Sequence, residues 1–273
     1  MAMSKLPWTP WHKVVQLRED LRTGELSMAV FAADLYEVVM QKGSRKVYED
    51  PAQFFALTYP TTNLRDLAKD VAWRLAGKNQ KAIRQLELTY GGGKTHTLIT
   101  LWHLVHEHAS LPDLAAVREF QEHIGIPLPR ARVVVLAFDK LDVEKGMEVR
   151  DPQGNVRQLK QPWSVLAWQI AGAAGLRLLH ADDQAEERET VPAQSLLEPL
   201  LRLPQKEDLS TLVLIDEVLM YAHEKVSHRP EWLGRLKNFF QSLCGPWSRW
   251  TVRRSSRRSW RRIPPRAIRS ASR

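Results

Sequence analysis

The sequence predicts an α/β fold: a largely parallel sheet with helices on both faces, behind a helical N-terminal layer. Three observations predict it. Two short apolar runs, ARVVVLAF at 131–138 and TLVLI at 211–215, are continuous rather than alternating, as strands covered on both faces must be. Each runs into an acid, Asp139 or Asp216. Ahead of both lies a glycine triplet, Gly91-Gly92-Gly93, followed by Lys94-Thr95 and an apolar helical stretch.

The first eighty residues read as helices. Residues 11–23 and 27–41 form two amphipathic helices around Gly24, and Phe31, Leu35, Val38 and Val39 share a face in the second. Asp50-Pro51 supplies an N-cap and a first helical proline for a short helix over 51–57. Residues 63–76 place Leu64, Leu67, Val71 and Leu75 on one stripe that Gly77 closes. This front is either a lid over a ligand or a packing layer, and packing is the favoured reading.

Residues 82–88 read as the first core strand, feeding the loop Tyr90–Gly93. Glycines let a backbone curl until several N–H groups face one point, with a helix N-terminus behind them. Such a loop cradles phosphates; Lys94 would reach the β/γ-phosphates and the Thr95 hydroxyl would ligate Mg2+. The pattern departs from G-x-x-x-x-G-K-[ST] at its first position, where Leu88 stands for glycine. The bland alternative is a glycine-rich turn before an ordinary helix.

The helix over 94–108 turns Leu98, Leu101, Trp102 and Val105 inward. His103, His106 and His108 near its end could suggest a metal site, but a solvated helix C-terminus, where histidine suits the dipole, is the plainer account. After the strand 131–138, residues 147–160 read as a hairpin turning at 151–155, and Pro162 begins a further helix. Residues 181–192 are acidic and read as a surface loop; Leu196–Leu203 is helical and stops at Pro204.

The strand ending at Ile215 then meets Asp216-Glu217. A buried strand fixes carboxylates at its C-terminal end, where the glycine loop also opens. Asp216 would hold the Mg2+ shell and Glu217 would act as general base on the attacking water. The two motifs predict each other, because phosphates need a metal and the metal needs a carboxylate.

A P-loop followed by four apolar residues and Asp-Glu resembles the additional-strand, catalytic-glutamate class of P-loop NTPases, which includes AAA+ proteins. More narrowly, LELTYGGGKTHTLITLWHL, FFALTYPTTNLRDLAKDVAWRLAG and LVLIDEVLMYAH together resemble a prokaryotic AAA+-type ATP-binding family of unknown function, the DUF-four-ninety-nine family. The likeness runs from about Pro7 to about Gln241, and Leu88 and His96 belong to that family's style of loop. It implies an ATP site at Tyr90, Gly91, Gly92, Gly93, Lys94, Thr95 and His96, Mg2+ on Thr95 and Asp216, and Glu217 as the catalytic residue. Members often sit beside DNA-adenine methylase genes in phage-defence islands. The resemblance therefore implies an ATPase remodelling a protein or DNA partner, with homo-oligomers in the full-length family. Family members continue past this point into a sensor strand and an arginine finger; here the sheet is expected to be incomplete at its C-terminal side and to lack its centre, with nucleotide binding weakened.

Composition locates the charge. Residues 241–273 hold ten arginines, no lysine and no acid, leaving 30 basic against 31 acidic residues in 1–240. The body is thus near neutral and does not look like a globally basic nucleic-acid binder. The expected division is a helical region over 1–80, an ATPase core over 81–240 and an Arg/Ser-rich tail over 241–273, without periodicity and disordered. The tail reads either as a nucleic-acid arm or as a shifted frame of GC-rich DNA. Reading each codon's last base with the next two, Trp247-Ser248 forces Val and Trp250-Thr251 forces Asp. Onward, the shifted codons permit R-A-A-V-V-A-S-L-L-A-T-D-P, an apolar strand pattern. The functional readings are therefore an ATPase, a nucleic-acid adaptor acting through the tail, and a fragment that binds ATP poorly. The single cysteine, Cys244, the start without an apolar run and the lack of any stretch near 18 apolar residues suit a cytoplasmic chain with no membrane partner.

Overall fold

The computed structural model describes residues 9–16, 22–23, 32–43, 46–86, 93–180 and 184–248. Over these the fold is mixed α/β. In chain order the elements are α1 (Trp11–Val14), α2 (Leu35–Met40), α3 (Lys46–Glu49), α4 (Pro51–Ala56), α5 (Thr62–Leu75), α6 (Lys94–Val105), α7 (Ala115–Ile124), β1 (Ala131–Ala137), β2 (Met147–Arg150), β3 (Val156–Leu159), α8 (Pro162–Leu179), α9 (Gln194–Arg202), β4 (Ser210–Asp216), α10 (Val218–His228) and α11 (Trp232–Ser248). No helix among the described residues is long and apolar enough to cross a membrane.

The centre is a parallel ribbon. β1 and β4 pair in register from Ala131↔Ser210 to Ala137↔Asp216. The link between them carries the β2–β3 hairpin, α8 and α9, a long crossover of the kind parallel pairing requires. The hairpin turn forms at the expected residues. Buried Asp151 organises it, accepting from the Gln153 and Asn155 backbone N–H groups and from the Asn155 side chain.

The outer edge of β1 is closed by α8. Gln169 donates to the Val135 carbonyl at 2.7 Å and accepts from the Val135 N–H at 2.8 Å, so one amide side chain does what a neighbouring strand would do. Just beyond it the helix breaks at Ala171–Gly172. Gly172 sits at φ 54°, and a Cβ there would come within 2.7 Å of the Asp151 carboxylate. The break frees the Ile170 carbonyl, which accepts from buried Arg132 of β1 at 2.6 Å.

The helical front packs as a layer. Asp50 caps α4 with Pro51 at its start, and α5 runs from the Thr61 cap to Leu75, burying Leu64, Val71 and Leu75. Phe54 and Phe55 are buried against His103 of α6, and α2 packs on both α6 and β1.

Several sequence expectations change. Of the helix expected over 27–41, residues 32–34 are not helical and the described helix starts at Leu35, where extended Asp34 caps it by accepting from the Glu37 N–H; residues 27–31 lie outside the described residues. The first is described as helical over Trp11–Val14, and residues 17–21 lie outside the description. Helix α6 ends at Val105, since His106 turns extended and its neighbour strand enters through a bridge from His106 to Ala131. His103 is not at a solvated terminus: it is buried and bonded to the Tyr48 carbonyl, and only His108 is exposed. Residues 82–86 of the expected first core strand form no strand, and 87–88 lie outside the described residues. The periodicity assigned to no element after Gln241 is also corrected. Leu236, Phe239, Phe240 and Leu243 form one stripe, and α11 continues to Ser248, eight residues into the assigned tail.

Candidate functional site

The site forms where two distant segments meet. Thr95, on the first turn of α6, donates its hydroxyl to Asp216 Oδ2 at 3.0 Å, across 121 residues of sequence. Gly93 makes this possible from the loop side. It is left-handed (φ 79°, ψ 24°), a conformation glycine adopts without strain, and its carbonyl accepts from both the Thr97 N–H and the Thr97 hydroxyl, which starts the helix. Tyr90, Gly91 and Gly92 lie outside the described residues.

On the strand side, Asp216 is the last residue of β4, opposite Ala137, and its backbone carbonyl accepts from the Phe138 N–H. Burial pushes its carboxyl pKa up, against the lowering effect of the Thr95 hydroxyl; the charges of Glu217 and Asp139 push it further up. The Thr95 and Asp216 oxygens are spaced for one small hard cation: two cis ligands of an octahedral Mg2+, each at about 2.0–2.1 Å, stand roughly 2.9 Å apart. The donor set fits that ion.

Glu217 follows in the left-handed region (φ 54°, ψ 35°), exposed, with its N–H donating to Asp216 Oδ1 at 3.1 Å. A non-glycine residue held there is a local strain that the start of α10 imposes. Lys94, Asp216 and Glu217 all line one cavity of about 750 Å³. His96 is placed otherwise: its ring lies against Phe54 (centroids 4.7 Å apart) and its Nε2 is 3.2 Å from the Thr58 hydroxyl. Burial lowers its pKa, so the ring is neutral at pH 7.

Sequence reading did not include the neighbouring group of Asp34, Asp139 and Lys140. Lys140 Nζ bridges Asp34 at 2.8 Å and Asp139 at 3.1 Å, which raises the Lys140 pKa. Asp139 had a signal, since it ends the β1 run as Asp216 ends β4. Asp34 had none, because only the packing of α2 brings it there.

The family model described as the DUF499 N-terminal domain matches residues 11–252. The match extends past Gln241, in keeping with the course of α11 to Ser248. Neither a curated protein nor a solved structure matches the chain.

Proposed function

The chain belongs to the DUF499 family, and on that premise we propose that it binds ATP with Mg2+ and hydrolyses it through an AAA+-like P-loop site. The observation that carries the reading is the Thr95–Asp216 hydrogen bond, which joins the glycine-loop helix to the acidic strand end. Phosphate oxygens would lie against the N-terminus of α6, where N–H groups without intrahelical partners and the helix dipole favour negative charge. Lys94 would neutralise the β/γ-phosphates. Thr95 and Asp216 would hold Mg2+, which when bound supplies charge neutralisation on the phosphates. Glu217 would accept a proton from water as the water oxygen bonds to the γ-phosphorus and the bond from phosphorus to the bridging oxygen breaks, leaving ADP and phosphate. Its carboxylate is exposed and borders the cavity that Lys94 also lines, a position open to water. The work done with ATP would fall on DNA or on a protein of a DNA-modification system.

Melting curves with and without Mg-ATP test binding. The unaltered chain is expected to gain stability with nucleotide, and Lys94→Ala to lose that gain. Glu217→Gln is expected to keep the gain while turnover drops by about 10²–10⁴-fold. Unchanged hydrolysis in that variant would remove Glu217 from the chemistry, and no shift in the unaltered chain would remove the nucleotide.

A further inference from the structure

Glu217 holds a left-handed backbone (φ 54°, ψ 35°) as the residue before α10, and no side-chain hydrogen bond caps that helix. A non-glycine residue stays in such a conformation only when the structure on both sides of it is fixed. On one side, β4 is fixed by its pairing with β1. On the other, α10 is thinly held. Leu219 and Met220 of its first turn are 84 % and 67 % exposed, and Val218, Ala222 and Val226 are partly buried. Only Tyr221 and Lys225 of the helix are buried.

Both buried residues rest on the segment that follows β1. The Tyr221 ring lies 5.2 Å from the Phe138 ring, and its hydroxyl has no hydrogen-bond partner among the described residues, so its hold is apolar contact alone. Lys225 makes the directional contact. Its Nζ donates to the Val143 carbonyl and stands 4.6 Å from the centre of the Trp232 ring, which is itself stacked on Trp163 of α8. The segment is a firm base. Phe138 donates its N–H to the Asp216 carbonyl, the Asp142 carboxylate accepts from the Glu144 and Lys145 N–H groups, and Lys140 is paired with Asp34.

We infer that Lys225 is a positioning residue for Glu217: by pinning α10 to the Val143 carbonyl and to Trp232, it keeps the residue at the head of the helix in its left-handed conformation. The consequence for turnover rests on the reading of Glu217 as general base. A lysine is a costly way to fill this space. Lys225 is 6 % exposed, and among the described residues no carboxylate is paired with its ammonium group. Burial and the charges of Arg229, Lys160 and Arg235 lower its pKa, against the opposing effect of Asp142. Methionine would fill the same space with no charge to bury. It has no donor, however, and contact without direction lets a helix slide or lift, whereas a hydrogen bond to one carbonyl fixes it at one point. Lys225 stands two turns beyond Glu217, about 12 Å along the helix axis. It therefore acts on Glu217 through the helix and not by touching it.

Hydrogen exchange is followed by segment on the full chain, without nucleotide. Lys225→Met is expected to speed exchange over 218–228 by more than about tenfold, with 131–137 unchanged. Glu217→Gly takes the left-handed backbone without strain, so it is expected to slow exchange over 218–228 by about threefold or more, in the unaltered chain and in the Lys225→Met chain alike. A rate over 218–228 that Lys225→Met leaves unmoved, or that Glu217→Gly leaves unmoved or raises, would overturn the assignment. Lys225→Gln repeats the test with a smaller change; equal speeding of 131–137 and 218–228 in both Lys225 variants would make the lysine a general core residue and overturn it too. Mg-ATP then reads the consequence. Lys225→Met is expected to keep the nucleotide-induced gain in Tm and to lose about tenfold or more in kcat, and an unchanged kcat would remove the positioning role. Neither turnover nor a Tm gain in the unaltered chain would instead sink the nucleotide reading, and the exchange rates alone would then decide whether Lys225 holds residue 217.

Discussion

The two edges of the central ribbon are treated differently. β1 and β4 have the same length, similar apolar composition and full register. Yet β1 is buried along nearly its whole length, while β4 is half-covered. β1 owes this to α8, whose Gln169 satisfies both backbone groups of Val135 and whose broken turn gives a carbonyl to Arg132. No described element does the same for the far edge of β4. Apolar sequence therefore makes a strand eligible for burial, but what lies beside its backbone decides whether burial is reached. The residues proposed to act on nucleotide stand on the less covered side, where Asp216 ends β4 and Glu217 precedes α10.

The largest effect that would break this contrast is loss of the edge closure on β1. Gln169→Ala leaves a buried N–H and a buried C=O of Val135 without partners, at about 1–3 kcal/mol each. Chemical denaturation should show a loss of about 2–6 kcal/mol; a loss below about 0.5 kcal/mol, on the order of a surface change, would mean that the amide closes nothing.

The covered side should also carry an acid sensitivity. Burial lowers the His103 pKa from 6.5 to about 4, although its bond to the Tyr48 carbonyl works the other way. The unfolded chain therefore binds a proton that the folded chain refuses between these values. The contribution of His103 is fully present above pH 6.5 and is lost as pH falls toward 4, on the order of 3 kcal/mol in total. Burial lowers the His96 and His106 pKa values in the same direction. His103→Gln, which keeps a donor for Tyr48, should therefore make the slope of stability against pH shallower without abolishing it. An identical slope in that variant would move the acid sensitivity elsewhere.

The smallest and most direct comparison uses neighbours. Val134 and Val213 are register partners on one face, the first 0 % exposed and the second partly buried. Val134→Ala should cost about 2 kcal/mol and Val213→Ala under about 1 kcal/mol, the difference being the cover that β4 lacks. Equal losses would show that the far side of β4 is as well packed as β1.

Much of the fold was legible because it rests on short-range signals. The continuous runs at 131–138 and 211–215 became the paired strands, Asp50-Pro51 began a helix, and Asp151–Asn155 turned the hairpin. Asp216 and Thr95 were legible as neighbours, since the expectation of a phosphate site required a loop and a carboxylate side by side. Residues 82–88 misled because a strand is defined by a partner, and no strand stands beside the described part of that stretch. The histidines of α6 misled because helix position says nothing of the aromatic layer that buries His103.

By itself, the sequence determined which segments could be strands or helices, where the charge lies and which residue types meet the needs of phosphate chemistry. These follow from periodicity, composition and local backbone preference, which act over a few residues. Only the tertiary structure decided that Gln169 stands in for a strand, that Lys140 links Asp34 to Asp139, and that β4 borders a cavity and, among the described residues, pairs with β1 alone. Those outcomes depend on hydrogen-bonding groups finding one another across long sequence distances, and a backbone edge carries no mark in the sequence of whether it will be paired.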